Sequence, residues 1–429
     1  MLRRGFKKNF LRLRFKLFTE LNFSLERFNS FCYKYQLQLK IKSFSHLAFT
    51  LLAPFLFIGC SAIKGSKSTL YNSESESSIF ELISNSDDLR IKNRNFEQVP
   101  TIAASADGKQ IFVAWYSGGA APGPGNYVTL SLSLDSGKSW LNDQLVVYPK
   151  NQSHRFFDPM LWRDHQGSIR LFYGSAKDNL IWDGFGGVNS LQMAWNGEKI
   201  TTSKSLRLSD GVMSNKPLYL ESKNKILFPI YIDKPLSGGN LDKNYPKNGV
   251  FIYSSNSDIN QLKYYSSINI EEDLRIHDEP QLVQISNSGD LLAMLRTTKG
   301  IYYTNSSDFG KSWTPIKTFT ATGPTTSSRF YLGKLSSGNL LLIANNSNTR
   351  NKMTAFLSKD GGKTWPHKLL LDVRENVSYP DADQTIDGNI HVVFDRDRTG
   401  AKDILYCKFT ENDLISGNLD AIFKSRVNK

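Results

Sequence analysis

Six positions in this chain place acid, base and phenol side chains at the same point of a recurring pattern. In five of the six cases proline follows, or follows one residue later, and a short apolar segment comes next. The six residues are Gln98, Asp158, Lys216, Glu279, Arg329 and Tyr379. Ordinary turn positions favour Ser, Asn and Gly. A mixture of carboxylates, cations and a phenol is instead typical of a binding or catalytic site.

Arginines at comparable positions indicate what such a site would bind. They are Arg155, Arg296, Arg350, Arg396 and Arg398. Any one of them could form a surface salt bridge, but several on one ring favour recognition of a carboxylate, because guanidinium binds that group through two parallel hydrogen bonds. His154, beside Arg155, is either a proton carrier or a structural residue.

These positions are far apart in sequence, so a repeat must bring them together. The pattern S-x-D-x-G-x-[ST]-W occurs at 133–140, 306–313 and 358–365. Its Asp can accept hydrogen bonds from backbone N–H groups of its own turn, and its Gly permits positive φ. Three full copies indicate Asp-box hairpins, with Trp covering the outside of each.

The segments led by proline count the repeats independently. Their starts lie 59, 58, 63, 50 and 50 residues apart, which is about one four-stranded propeller blade each. Proline lacks a ladder donor and suits the first residue of a strand, so we take these segments as the innermost strands. The prediction is an all-β fold, a six-bladed β-propeller with Asp-box hairpins over 79–425, with its site at the channel mouth. We expect a strand near 79–83 to close the ring by pairing with the last hairpin, which includes 404–409.

Residues from roughly 95 to 410 resemble the sialidase superfamily, most closely its BNR-repeat branch found in many bacteria and plants. The strings that carry the resemblance are RFFDPMLW, SNKPLYL, EPQLVQ, TRNKMTAFLSKDGGKTW and SYPDADQ. The resemblance implies that Tyr379 is a nucleophile, that Glu279 is its partner, and that Arg296 and Arg350 hold a substrate carboxylate. A phenol, with a pKa of about 10, needs a carboxylate to take its proton before it attacks. A neutral phenol can also approach an anomeric centre that bears a carboxylate.

Two departures from the superfamily keep several functions open. Gln98-Val99-Pro100 stands where sialidases have Arg-Ile-Pro, and no acid lies between Tyr116 and Tyr127, where an acid/base Asp is expected. Asp158 and His154 are the nearest substitutes. Three functions follow: an exo-acting glycoside hydrolase on glycans ending in sialic or uronic acid, a polysaccharide lyase acting beside a uronate carboxylate, or a glycan-binding propeller without catalysis. The expected substrate ligands are Arg296, Arg350, Arg329, Arg155, Lys216 and Gln98.

The charge distribution argues against a nucleic-acid partner. The net charge is +13, but 11 of the 53 Lys and Arg and only two of the 40 acids lie in residues 1–45, so the remainder carries +4. A nearly neutral remainder gives little long-range attraction to polyanions. The six histidines lack metal-ligand spacing and no Gly-rich nucleotide loop is present, so we predict no metal or cofactor. A glycan is the expected partner of a monomer.

The N-terminal segment predicts export. A basic stretch precedes the apolar run 47–58 and Gly59-Cys60, which describes a secretory signal and resembles a lipoprotein lipobox with Cys60 as the lipidated residue. An uncleaved membrane anchor is the alternative. Residues 61–78 are Ser-rich and are read as a tether after the 1–60 leader. We therefore expect a membrane-anchored lipoprotein, in the periplasm or at the cell surface, with Cys407 as its only unmodified cysteine and no disulfide.

Overall fold

The computed structural model describes residues 79–84, 87–92, 94–119, 122–177, 187–233, 249–256 and 259–428. These residues belong to one compact unit, Tyr71–Lys429. The predicted leader (1–60), the tether (61–78) and Cys60 lie outside the described residues, and their roles stay predictions. Within the described ranges, no helix is both long enough and apolar enough to cross a membrane.

The described strands form six antiparallel sheets, one for each blade of a propeller, so the predicted fold class is confirmed. Blade 1 contains β1 (Phe80–Ile83), β2 (Phe96–Ala104), β3 (Ile111–Gly118), β4 (Tyr127–Ser133) and β5 (Leu141–Pro149). Blade 2 contains β6 (His154–Arg163), β7 (Ile169–Lys177), β8 (Gly187–Trp195), β9 (Ile200–Thr202) and β10 (Leu206–Ser209). Blade 3 contains β11 (Leu218–Leu220), β12 (Lys225–Ile232), β13 (Gly249–Ser255) and β14 (Lys263–Ile268).

The remaining three blades follow the same four-strand order. Blade 4 contains β15 (Gln281–Gln284), β16 (Leu291–Thr297), β17 (Gly300–Ser306) and β18 (Lys317–Thr318). Blade 5 contains β19 (Tyr331–Lys334), β20 (Leu340–Asn345), β21 (Met353–Ser358) and β22 (His367–Asp372). Blade 6 contains β23 (Val377–Gln384), β24 (Asn389–Arg396), β25 (Asp403–Thr410) and β26 (Phe423–Arg426). The helix α1 (Glu411–Ser416) and short 3-10 turns at Leu89–Ile91, Glu221–Lys223 and Leu419–Ala421 complete the described elements.

The segments led by proline lie where the sequence placed them. Each belongs to, or directly precedes, the first strand of its blade's four-strand order, and each of those strands is an edge of its sheet: β2, β6, β11, β15, β19 and β23. The second strands of the blades are buried along their whole length in blades 1, 4 and 5, because apolar side chains on both faces pack against neighbouring blades. These inner edges carry the candidate site.

The predicted ring closure is wrong. The strand β1 pairs with β5 at the outer edge of blade 1, whereas β25 pairs with β26. The cause is α1 and its 3-10 continuation, which return the chain so that β26 takes the edge of blade 6. Blades 1 and 6 are joined instead by a backbone hydrogen bond, Glu97 N to Arg398 O (3.0 Å), and by the Lys402 side chain, whose Nζ donates to Arg94 O (2.9 Å).

The Asp-boxes act in blade packing. In the third copy, Asp360 accepts hydrogen bonds from Lys363 N (3.1 Å), Thr364 N (2.9 Å) and Thr364 Oγ1 (2.6 Å), and the hydroxyl bond leads the effects that lower the pKa of Asp360 to about 2. The carboxylate is thus occupied by its own turn. Trp365, 5% exposed, packs edge-on against Phe319 of blade 4 with ring centroids 6.1 Å apart. The hairpins therefore seal neighbouring blades.

We expect Trp365→Ala to lower the free energy of unfolding by about 3–5 kcal/mol, because a large buried aromatic leaves a cavity between two blades. Urea unfolding followed by fluorescence measures the change, and Ile386→Ala, at an 80% exposed side chain, is the control with an expected change below about 0.5 kcal/mol. Glycan affinity should hold in both variants. Lost affinity at an unchanged melting temperature would make the hairpin part of the site.

Candidate active site

Bulges in the innermost strands place the candidate site. In β2, β6 and β23 two residues face one on the neighbouring strand, and the second residue of each bulge is proline. The residue before that proline has positive φ: Val99 56°, Asp158 43° and Tyr379 55°, with Glu279 at 41° in the same position of blade 4. Positive φ is uncommon outside glycine, and bulges redirect side chains near active sites. The repeat thus gives three blades a redirected acid or phenol.

The blade 1 member of this set is Val99. The residue predicted there, Gln98, lies one position earlier, opposite Tyr116 in the β2–β3 pair. Gln98 is 4% exposed, and its Oε1 has no hydrogen-bond partner among the described residues. Blade 1 therefore contributes a neutral amide with an unused acceptor.

Arg296 joins the phenol and the carboxylate of the predicted pair. Its Nη1 donates to Tyr379 Oη (2.8 Å) and to Glu279 Oε2 (3.1 Å), and all three side chains are buried. The direct Tyr379–Glu279 hydrogen bond that the sequence suggests is replaced by this shared nitrogen. A guanidinium that donates to the phenol oxygen can stabilise negative charge that develops there during attack, so the arrangement can lower the barrier to attack by Tyr379.

Four guanidinium groups surround the Tyr379 ring. The distances from Cζ to the ring centroid are 4.3 Å for Arg398, 5.1 Å for Arg350, 5.3 Å for Arg329 and 5.9 Å for Arg296. Such distances allow cation–π attraction. The ring therefore lies in a strongly positive environment contributed by blades 4, 5 and 6.

The carboxylates of the cluster pair with two of these four cations, and of the other two Arg329 donates to backbone carbonyls. Arg296 pairs with Glu279, and Arg398 pairs with Asp395 at 3.2 Å. Among the described residues, no carboxylate forms an ion pair with Arg350. Burial and the nearby Arg398 lower the pKa of Arg350. Because a partly buried, unpaired cation is unfavourable, an anionic ligand group would stabilise this site.

Asp158 is the acid of the cluster. Burial raises its pKa, the charge of Arg329 opposes that shift, and Glu279 adds to it. Asp158 is also close enough to Tyr116 to raise, together with burial, the pKa of that phenol. A carboxyl group with a raised pKa keeps its proton to higher pH and can act as a general acid.

The other two residues of this segment differ in their placement. Arg155 stacks on Phe157 (4.2 Å) and lowers the pKa of Asp158 by its charge. His154 begins β6, four residues before Asp158, which is about 13 Å along an extended strand. Asp158 is therefore the better placed of the two predicted proton donors.

The hydrogen bonds of Lys216 go to other inner strands of the protein. Its Nζ donates to Ile102 O (2.8 Å), Leu161 O (2.9 Å) and Asp381 Oδ2 (2.6 Å). An ammonium group has three N–H bonds, and blades 1, 2 and 6 take all of them. Lys216 therefore ties the inner strands together at the axis, and its role as a substrate ligand stays a prediction.

Arg329 also has a structural position. Its Nη1 donates to Ser214 O (2.9 Å), and its Nη2 donates to Pro100 O (3.1 Å). At 1% exposure, its guanidinium is closed to a substrate. Arg329 links blade 5 to blades 3 and 1 and acts on Asp158 through its charge, and its role as a direct ligand stays a prediction.

The sequence names Arg396 and Arg398 together in the string FDRDR, but neither is among the expected substrate ligands. The neighbouring Arg396 forms an outer ion pair with Asp403 (2.6 Å), whereas Asp397 has a φ of 49°, which turns the chain and brings Arg398 to Tyr379. A second omission is His277, whose Nδ1 lies 3.0 Å from Asp233 Oδ2. That hydrogen bond raises the pKa of His277. His277 has no sequence signal beyond its type, and nothing in FDRDR distinguishes Arg398 from Arg396.

The family described as a BNR repeat-like domain matches residues 109–392. The chain belongs to this family. The match confirms the BNR-repeat resemblance read from the sequence. A search of curated proteins finds no match to this BNR repeat-like protein.

Solved structures with the same fold include named sialidases. The Hadza microbial sialidase Hz136 is 15% identical, with a TM-score of 0.59, 75% of this chain covered and 66% of that chain. The NanB sialidase from Streptococcus pneumoniae is 14% identical, with a TM-score of 0.59 and coverages of 79% and 71%. A protein of unknown function from Dyadobacter fermentans is 15% identical, with a TM-score of 0.54 and coverages of 71% and 92%. At these identities the likeness shows the fold, and the BNR repeat-like protein spans just under two thirds of Hz136.

Proposed function

We propose that this BNR repeat-like protein is an exo-acting glycoside hydrolase on glycans that end in an acidic sugar, sialic or uronic acid. The observation that carries the proposal is the shared Arg296 Nη1, which holds the Tyr379 phenol beside the Glu279 carboxylate within a ring of guanidinium groups. Arg350, without an ion-pair partner among the described residues, supplies the charge for a sugar carboxylate. The sialidase fold supports the same reading.

The first chemical step forms a bond between Tyr379 Oη and the anomeric carbon. Glu279 comes into direct hydrogen-bond contact with Tyr379 Oη when substrate binds and takes the phenol proton, and Arg296 stabilises the developing phenolate. The bond between the anomeric carbon and the glycosidic oxygen breaks, and Asp158 gives its proton to that leaving oxygen. The product of this step is a tyrosyl glycoside and a shortened glycan.

The second step returns the enzyme to its starting state. Water attacks the anomeric carbon of the tyrosyl glycoside and gives a proton to the Asp158 carboxylate. The bond to Tyr379 Oη breaks, and the phenol regains the proton held by Glu279. One water molecule is consumed for each acidic sugar released, with the anomeric configuration retained.

A screen of the purified protein on sialosides and uronate-ended oligosaccharides tests the proposal. We expect release of reducing acidic sugar without an ultraviolet-absorbing unsaturated product. The unsaturated product would identify a lyase in which Tyr379 or His154 removes the proton beside a uronate carboxylate. Binding of these glycans without any product would identify a non-catalytic propeller.

The raised pKa of Asp158 predicts the alkaline side of the pH profile. Asp158 works as an acid in its protonated form, so turnover of a natural glycan should fall as pH rises through the pKa of this group. Asp158→Asn should lower turnover about 10²- to 10⁴-fold and remove that alkaline limb. Kinetics on an aryl glycoside with an acidic leaving group should show a much smaller loss, since that leaving group needs no proton.

His154→Gln is the matched control because His154 is the alternative proton donor on the same strand. We expect the alkaline limb to survive in this variant. If His154→Gln removes the alkaline limb of the pH profile and Asp158→Asn keeps it, His154 is the general acid and Asp158 is not.

A further inference from the structure

One buried carboxylate connects blade 1 and blade 6 at the candidate site. Asp395, 0% exposed, accepts a hydrogen bond from Val99 N (3.0 Å) through the same Oδ2 that lies 3.2 Å from Arg398 Nε. Beside it, Glu97 N donates to Arg398 O (3.0 Å). The segment around Gln98 and the residue Arg398 are therefore neighbours, although 300 residues separate them in sequence.

The contacts of Arg398 fix the orientation of its guanidinium. Nε faces Asp395, and Nη2 donates to Ser378 Oγ (3.0 Å), while Ser378 Oγ donates to Asp395 Oδ1 (2.6 Å). Of the four arginines around the Tyr379 ring, Arg398 has its Cζ nearest to the ring centroid, at 4.3 Å. A planar guanidinium held along one edge presents its other N–H groups in a fixed direction, which suits bidentate binding of a carboxylate.

The neighbouring position in blade 1 carries a complementary group. Gln98 is buried beside this arginine's backbone, carries no charge, and has an Oε1 without a partner among the described residues. An unpaired buried acceptor is unfavourable until a donor reaches it. A guanidinium is only a donor, whereas an amide oxygen accepts. A glutamine at this position can therefore read a ligand hydroxyl or N–H that an arginine there would reject.

We propose that Arg398 binds the substrate carboxylate from blade 6, together with Arg350, and that Gln98 accepts a hydrogen bond from a hydroxyl or amide N–H of the same sugar. An arginine at position 98 would supply positive charge from blade 1. In this protein Arg398 supplies that charge from blade 6, across the junction between the two blades. The proposal rests on an acidic-sugar ligand. It also implies that the guanidinium that binds the carboxylate can be moved between positions 398 and 98, and that these two positions determine which acidic sugar is bound.

Calorimetric binding to the full protein tests the exchange, with free sialic acid and free glucuronic acid as probes and glucose as the neutral control. Arg398→Gln should weaken binding of the acid that the wild type prefers by about 10- to 100-fold, as expected for loss of hydrogen bonds to a charged group. The double variant Gln98→Arg/Arg398→Gln should regain about fivefold or more of that loss, because a guanidinium returns to the same junction. Arg396→Gln is the matched control, two residues away and paired outside the site, with affinity unchanged.

Arg398→Lys separates loss of binding from loss of folding, because it keeps a cation beside Asp395 and removes only the planar guanidinium geometry. It should fold as the wild type does and still bind the acid more weakly. Wild-type affinity in Arg398→Gln or Arg398→Lys overturns the role of Arg398, and a double variant no better than Arg398→Gln overturns the exchange. Acid binding without turnover in the wild type refutes the hydrolase and leaves this inference standing. No binding of either acid refutes both.

Discussion

Tyr379→Phe should reduce turnover of an acidic-sugar glycoside about 10³-fold or more and leave the affinity for the free acidic sugar nearly unchanged. The phenylalanine ring keeps the contacts with Arg398 and Arg350, whose guanidinium carbons lie 4.3 and 5.1 Å from the ring centroid. It loses only the oxygen that accepts from Arg296 and that would attack the anomeric carbon. Steady-state kinetics and calorimetry on the same preparation separate the two effects.

Tyr116→Phe is the matched control, because Tyr116 is a second buried tyrosine of the same cluster, electrostatically coupled to Asp158 and Tyr379. Its hydroxyl has no step in the proposed reaction, so its loss should change turnover less than about tenfold. Undiminished turnover in Tyr379→Phe would remove the nucleophile from the mechanism. The next residue to vary would then be His154, as the base of an alternative reaction.

The fold follows from the sequence because its signals are repeated. Three Asp-boxes and six inner-strand segments each specify the same local hairpin, so an error in one copy leaves the count of blades intact. The closure depends on a single comparison between two short terminal strands. Both β1 and β26 are four-residue edge strands, and nothing in their composition tells which blade edge each one covers. The turn through α1 decides it, and that is a tertiary effect.

The site is predictable where the backbone fixes a side chain's direction. Three site residues each have positive φ and are each followed by proline: Asp158, Glu279 and Tyr379. The repeat register alone therefore brings them together. Lys216 occupies the same register, but its long side chain reaches across the axis to three other strands. Arg398 enters from a loop whose turn at Asp397 has no counterpart in the other blades' sequences. Side-chain reach and loop geometry are the parts that the pattern leaves undetermined.

An ion pair between Asp381 and Lys216 joins several blades at the axis, and neither residue has a step in the proposed reaction. Asp381 Oδ2 accepts from Lys216 Nζ (2.6 Å), Thr101 Oγ1 (2.7 Å) and Ile102 N (2.8 Å), and the carboxylate is buried. One oxygen thereby joins inner strands of blades 6, 3 and 1. Since Lys216 also bonds to blade 2, four of the six blades depend on this ion pair.

Asp381→Ala should lower the free energy of unfolding by about 3 kcal/mol, because it leaves the largely buried Lys216 ammonium, 18% exposed, without its counter-ion. The double variant Lys216→Met/Asp381→Leu should be markedly more stable than Asp381→Ala, since replacing both partners by apolar groups removes the unpaired charge. Urea unfolding at neutral pH measures both. Lys216→Met alone also tests its structural role: acidic-sugar affinity should hold in the folded variant, because all three N–H bonds of Lys216 are donated to the protein. A folded Lys216→Met protein that no longer binds the acidic sugar would return Lys216 to the site.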